Sequence, residues 1–224
     1  MASKKDLFSL KPKSDEQVEA LKYLHDPDID LVVLIGSAGS GKTLMAVSAG
    51  LSQVIYERAY KKFVVSRPVV PMDGMEIGFI PGTIEEKMDP WTRPIYDAVE
   101  FFQRKDPRYL TKGVNPREFV DQGVMEVEPM TYIRGRTLPG EFWLLDEASN
   151  LSPHAIKTLI TRAGEGTKIV ITGDPDQIDN PNLTKENNGL VYVAERFKNH
   201  ELARIVVLKD CFRSRLAQAA VELL

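Results

Sequence analysis

The chain has 224 residues, a net charge of −3 at neutral pH and ordinary globular proportions, 43% hydrophobic and 27% charged. That length supports one good-sized core, and the acidic balance confines any nucleic-acid binding to a local patch rather than a global field. One cysteine, Cys211, excludes an internal disulfide; the three histidines have no zinc spacing; and no stretch is apolar enough for a signal peptide or membrane span, so a cytoplasmic location is expected.

Residues 1–12 are polar, carry Pro12 and read as a loose tail, leaving residues 13–224 as a single domain. Ser14-Asp15-Glu16-Gln17 then opens a helix running to about Leu24 in the Ser-x-x-Gln pattern of a capping box. Gln17 has two readings: it closes that box, or its amide reads adenine. Leu31 to Ala46, LVVLIGSAGSGKTLMA, is an apolar strand, a glycine loop and then a helix with Leu44, Val47 and Leu51 on one face. In that context Gly36-x-x-x-x-Gly41-Lys42-Thr43 means a phosphate-binding loop. Backbone N–H groups of Gly36, Ser37, Ala38, Gly39, Ser40, Gly41, Lys42, Thr43 and Leu44 would surround phosphate oxygens at the positive end of the helix. Lys42 would reach the β and γ phosphates, and Thr43 would complete a Mg²⁺ shell. The loop is expected to bind a nucleoside triphosphate.

Further along, KKFVVSRP (Lys61 to Pro68) is a second strand. Residues 69–95 are rich in proline and glycine and read as a long functional loop, followed by a helix from about Ile95 to Gln103. Val124 to Pro129 is a short strand, and EFWLLDEAS (Glu141 to Ser149) is a buried strand ending in two acids. A helix from Pro153 through Ala163, a strand from Thr167 to Asp174, a helix from Gly189 to Lys198, a strand ARIVVLKD and a helix from Arg213 to Leu224 complete the chain. Apolar runs alternating with helices predict an α/β fold with a mainly parallel sheet covered on both faces. Ligands in such sheets sit at the carboxyl ends of the strands, where Arg67, Asp146, Glu147, Asp174 and Gln177 all fall.

In a phosphate-loop enzyme the first acid, Asp146, holds Mg²⁺ and the second, Glu147, orients and activates the attacking water. Gln177 reads either as a γ-phosphate sensor or as part of an ordinary Asp-Pro turn. Arg213 opens the last helix against its macrodipole; an arginine finger explains that, and so does a surface salt bridge. Arg67, Arg134 and Arg136 lie in proline- and glycine-rich loops near the ligand edge and are candidates for nucleic-acid or intersubunit phosphate contacts.

GSAGSGKT, SRPVVPMDGMEIGFIPGTIEEKMDPW, TYIRGRTLPGEFWLLDEASNLSPH, ITGDPDQID and FRSRLA, in that order, resemble the PhoH family of P-loop ATPases from about Lys11 to Leu224. The likeness is greatest to the form in which the PhoH domain follows a PIN ribonuclease domain. It implies a RecA-like core related to superfamily 1 helicases, ATP and Mg²⁺ as cofactors, ATP hydrolysis, an association with RNA and a homo-oligomeric ring, a hexamer. It also assigns Gln17 to the adenine side, Lys42 and Thr43 to Walker A, Asp146 and Glu147 to Walker B, Gln177 to the sensor and Arg213 to the terminal arginine motif, with Arg134 and Arg136 in its IRGRT segment.

Two departures matter. Ser149 stands where the family usually has glutamine, a side chain that in helicases links nucleotide state to the nucleic-acid site. Hydrolysis is expected to survive this, and coupling to strand movement is what it puts in question. No PIN domain is expected ahead of Met1, so ribonuclease activity is not carried over. The expected function is an ATPase acting on RNA or single-stranded nucleic acid as a helicase-like motor or remodeller. A switch module with slow turnover is the alternative. A kinase reading lacks an arginine-rich lid, and a GTPase reading lacks an Asn-Lys-x-Asp motif.

Overall fold

Six strands, all parallel, form the centre of the molecule in a computed structural model that describes residues 6–68, 84–133, 136–212 and 216. In chain order the elements are α1 (Asp15–His25), β1 (Leu31–Gly36), α2 (Lys42–Ile55), β2 (Phe63–Arg67), α3 (Ile84–Gln103), α4 (Pro107–Lys112), α5 (Glu118–Asp121), β3 (Met125–Pro129), α6 (Met130–Ile133), β4 (Phe142–Leu145), α7 (Pro153–Ile160), β5 (Lys168–Gly173), α8 (Gly189–Phe197) and β6 (Ala203–Leu208). The sheet order is β3-β2-β4-β5-β1-β6.

Successive residues of each strand point to opposite faces, and each face has its own core. Val32, Leu34, Val65, Leu144 and Val170 pack with α1, α2 and α3. Leu31, Val33, Val64, Leu145 and Ile171 pack with α7 and α8 on the other side. The predicted α/β parallel sheet with helices on both faces is what forms.

Register places the functional tips. Leu34 pairs with Thr172, Leu145 with Ile171, and Ser66 with Leu145. Arg67, Asp146 and Thr172 therefore stand level at the carboxyl edge, and on the face that carries α2. Strand β5 lies between β1 and β4, so the glycine loop and the acid pair are about two strand spacings apart, roughly 10 Å. The tip of β5 lies between them.

Several expectations on element boundaries need correction. Residues 6–12 are not a loose tail. Phe8 is fully buried, meets Phe102 and Phe119 edge to face at 5.5 and 5.2 Å, and its carbonyl accepts the Ser48 hydroxyl at 2.5 Å. Leu7 and Leu10 lean on the same core; composition hid three apolar positions that tertiary packing uses. Helix α3 begins at Ile84 rather than near Ile95 and runs through Pro90 and Pro94. Proline forfeits an N–H but its φ suits a helix, and the later half buries Ile95, Val99 and Phe102 on one stripe. Residues 69–83 of the expected loop and the helix expected from Arg213 to Leu224, apart from Leu216, lie outside the described residues.

Candidate active site

The glycine loop joins the end of β1 to α2, and its backbone needs its glycines. Gly41 has φ 93°, a left-handed conformation that side chains disfavour, and a Cβ on Gly36 would stand 2.7 Å from the Leu208 carbonyl. Gly41 caps α2 without a side-chain acceptor, and no acid sits in the first turn. The first-turn N–H groups of a helix have no intrahelical partner, so this end offers donors and a positive dipole to an anion. The Ser40 hydroxyl is buried in the loop and makes no hydrogen bond, a second polar group there awaiting an acceptor. Leu44 packs its side chain against the core, leaving its backbone N–H as its share of the site.

Lys42 is buried, and its Nζ donates to the Gly36 carbonyl at 2.7 Å and the Ser37 carbonyl at 3.0 Å. Thr43 Oγ1 donates to Asp146 Oδ1 at 3.0 Å, and Thr172 Oγ1 donates to the same oxygen. A hydroxyl and a carboxylate this close are hard oxygen donors suited to a small divalent cation such as Mg²⁺. The residues present fit that ion.

Glu147 leaves β4 in a left-handed conformation, φ 56° and ψ 42°, one of two non-glycine positive-φ residues among those described. Burial, and next the Asp146 charge, push its carboxyl above the ordinary carboxylate range; Arg67 and Lys42 pull the other way. A carboxylate raised toward neutrality is a better general base than an unperturbed one. The turn that carries it is bolted to the loop after β5. Ser149 Oγ donates to the Gln177 carbonyl at 3.2 Å, and Asn150 Oδ1 accepts the N–H groups of Asp179 at 2.7 Å and Asn180 at 3.3 Å. Gln177 itself is exposed in a turn, its N–H on the Asp174 carbonyl.

Gln17 is buried with both ends of its amide engaged. Oε1 accepts the Lys13 N–H at 2.8 Å, one residue before the position a capping box would use, and Nε2 donates to the Ser40 carbonyl at 2.9 Å. The Ser14 half of the box does form, at 3.3 Å. Gln17 thus ties α1 to the phosphate loop. The segment after β6 touches that loop too: Phe212 N–H donates to the Gly39 carbonyl at 3.0 Å, and the Cys211 thiol to the Ala38 carbonyl at 3.2 Å.

Of the arginines assigned to nucleic-acid or intersubunit contacts, two are described and both are engaged by acids of this chain. Arg67 faces Asp146 and Glu147. Arg136 holds both Glu128 oxygens at 2.7 Å and Glu126 at 3.3 Å, beside Lys62, on edge strand β3; it is not brought to the phosphate loop. Arg134 and Arg213 lie outside the described residues. Sequence reasoning missed Thr172 and Asn150, and it placed Ser40 in the loop for its backbone N–H alone, not for its buried hydroxyl. Only Thr172, a lone hydroxyl in an apolar strand one residue before Gly173-Asp174, left a visible signal.

The PhoH-like protein family matches residues 9–224. The chain belongs to the PhoH family. Protein PhoH2 of Bacillus subtilis is 49% identical over 219 residues, covering 97% of this chain and 48% of the relative. Protein PhoH2 of Thermobispora bispora is 36% identical over 220 residues, covering 98% and 48%. The PhoH chain described here therefore spans about half the length of these relatives. Pif1 helicase from Candida albicans superposes with a TM-score of 0.43 and 17% identity, over 95% of this chain and 43% of that one, a likeness too distant to bear on function. Among the described residues of this PhoH domain, no helix is long and apolar enough to cross a membrane.

Proposed function

We propose that this PhoH domain is a Mg²⁺-dependent ATPase that acts on RNA or single-stranded nucleic acid as a helicase-like motor or remodeller. The observation that carries the hydrolytic part is the pairing across β5. The phosphate loop reaches the acid turn through Thr43 and Asp146, 3.0 Å apart, with Glu147 one residue on. Loop and helix-start N–H groups would bind the phosphates, with Lys42 exchanging the Gly36 and Ser37 carbonyls for phosphate oxygens. Thr43 and Asp146 would hold Mg²⁺, which when bound screens the phosphate charge. Glu147 would orient a water and take its proton. Ser149 and Asn150 would pass any shift of the Glu147 turn to the loop of Gln177.

The nucleic-acid part and a hexameric ring rest on the family resemblance, and the cytoplasmic location rests on the sequence reading alone. Ser149 favours the second reading, a switch with slow turnover, because it lacks the glutamine amide, though its bond to Gln177 keeps the two loops in contact. ATP turnover by the purified protein, measured with and without RNA, separates the readings. Stimulation by RNA is expected; Mg²⁺-dependent binding with negligible turnover in both conditions would select the switch.

A further inference from the structure

Arg67 ends β2, and the sheet aims it. The Asp146 N–H donates to the Ser66 carbonyl at 2.9 Å, so the backbone beside Arg67 is locked to the start of the acid turn. Its guanidinium places Nη2 3.6 Å from Glu147 Oε1 and Nη1 3.9 Å from Asp146 Oδ2. The acids are consecutive and alike in charge, Asp146 buried and Glu147 partly so, and Glu147 holds a backbone conformation that side chains disfavour. Two such carboxylates need a shared cation, and a planar fork can face both where an ammonium would face one.

We propose that Arg67 is a positioning residue of this site, a guanidinium brace that spans Asp146 and Glu147 and fixes the direction of the second carboxylate. This deepens the hydrolytic reading above and rests on it. The two arms differ. The longer one, on Asp146, competes with any cation that Asp146 and Thr43 take; the shorter one keeps Glu147 in place. Arg67 is thereby withdrawn from the nucleic-acid role its sequence neighbourhood suggests, since an external phosphate would have to displace two carboxylates of its own chain.

The test uses the nucleotide-free protein first. Mn²⁺ alone is titrated into the parent, Arg67→Gln and Arg67→Lys, with binding read by electron paramagnetic resonance and folding by thermal melting. Arg67→Gln removes the larger of the two positive charges acting on Glu147 and should bind Mn²⁺ about tenfold more tightly, while Arg67→Lys returns toward the parent. Equal or weaker binding by a folded Arg67→Gln overturns the proposal. Steady-state ATP turnover without RNA follows. Arg67→Gln and Arg67→Lys should both lose about tenfold or more in kcat with KM held, because a single ammonium cannot brace both oxygens. Parent-like kcat with weakened RNA affinity and a flatter salt dependence overturns it in favour of a nucleic-acid contact. A parent protein without ATP turnover defeats the hydrolytic reading instead, and the Mn²⁺ comparison still judges Arg67.

Discussion

Lys42 and Glu147 stand at tips separated by β5 and should fail in different ways. Lys42→Ala removes the one amine held inside the loop, so nucleotide affinity and turnover should fall together. Glu147→Gln keeps size and the neighbouring Asp146 but cannot take a proton. It should bind ATP near the parent level, with turnover reduced by about 10²–10⁴-fold. Equilibrium binding of a fluorescent ATP analogue beside phosphate release checks both, and equal loss of binding in the two would refute the assigned roles. Gln17→Ala removes two bonds to backbone groups and should cost about 1–3 kcal/mol of stability in denaturant unfolding. ATP and GTP affinities measured on the same protein show whether adenine preference goes with it. These side chains were legible because spacing in a motif fixes their chemistry. The partners of Arg67 were not, because they depend on which strands are neighbours, and no local pattern encodes that β2 lies beside β4.

At the scale of elements, the buried strands were legible because each is an unbroken apolar run. Helices α4, α5 and α6 are too short for a periodic signal and were missed; the early start of α3 was masked by its prolines. The attachment of residues 6–12 was hidden for a different reason: three apolar residues in a short segment without periodicity reveal burial only once Phe102 and Phe119 surround Phe8. Phe8→Ala should therefore destabilise the domain by about 3–5 kcal/mol, measured by urea unfolding. A second contact binds α1 to the sheet. Lys168, buried at the start of β5, donates from Nζ to the Asp26 carbonyl at 2.7 Å and the Tyr23 carbonyl at 3.0 Å, closing the carboxyl end of α1. Burial pushes its pKa down from 10.5 to about 8. Between those values the unfolded chain binds more protons than the folded one, so the contribution of this group to stability rises as pH climbs through that window. Lys168→Met should flatten this part of the stability–pH profile, read by chemical denaturation across the same range. An unchanged slope would remove Lys168 as its source.

For the whole molecule, a parallel sheet with ligands at its carboxyl edge follows from alternating strands and helices, whereas strand order is a property of long-range contacts. Assembly is a property of the same kind, and the proposed finger role of Arg213 would link it to the chemistry. One phosphate loop and one acid pair at the end of an apolar strand occur in the chain, so a finger arginine either serves its own site or a neighbour's. Head-to-tail contacts of the second kind close into rings when the rotation permits. Phe212 is held on Gly39 of its own phosphate loop, and the first arrangement is the expectation to be tested. Mixing separates the two cases: Lys42→Ala protein supplies a sound arginine without a site, and Arg213→Ala protein supplies a site without the arginine. With co-assembly shown by sedimentation, no recovery of ATP turnover is expected, since each intact arginine would sit beside a broken loop. Recovery on mixing two inactive proteins would place the arginine in the neighbouring subunit. A monomer with full turnover would remove the ring and leave the cis arrangement standing.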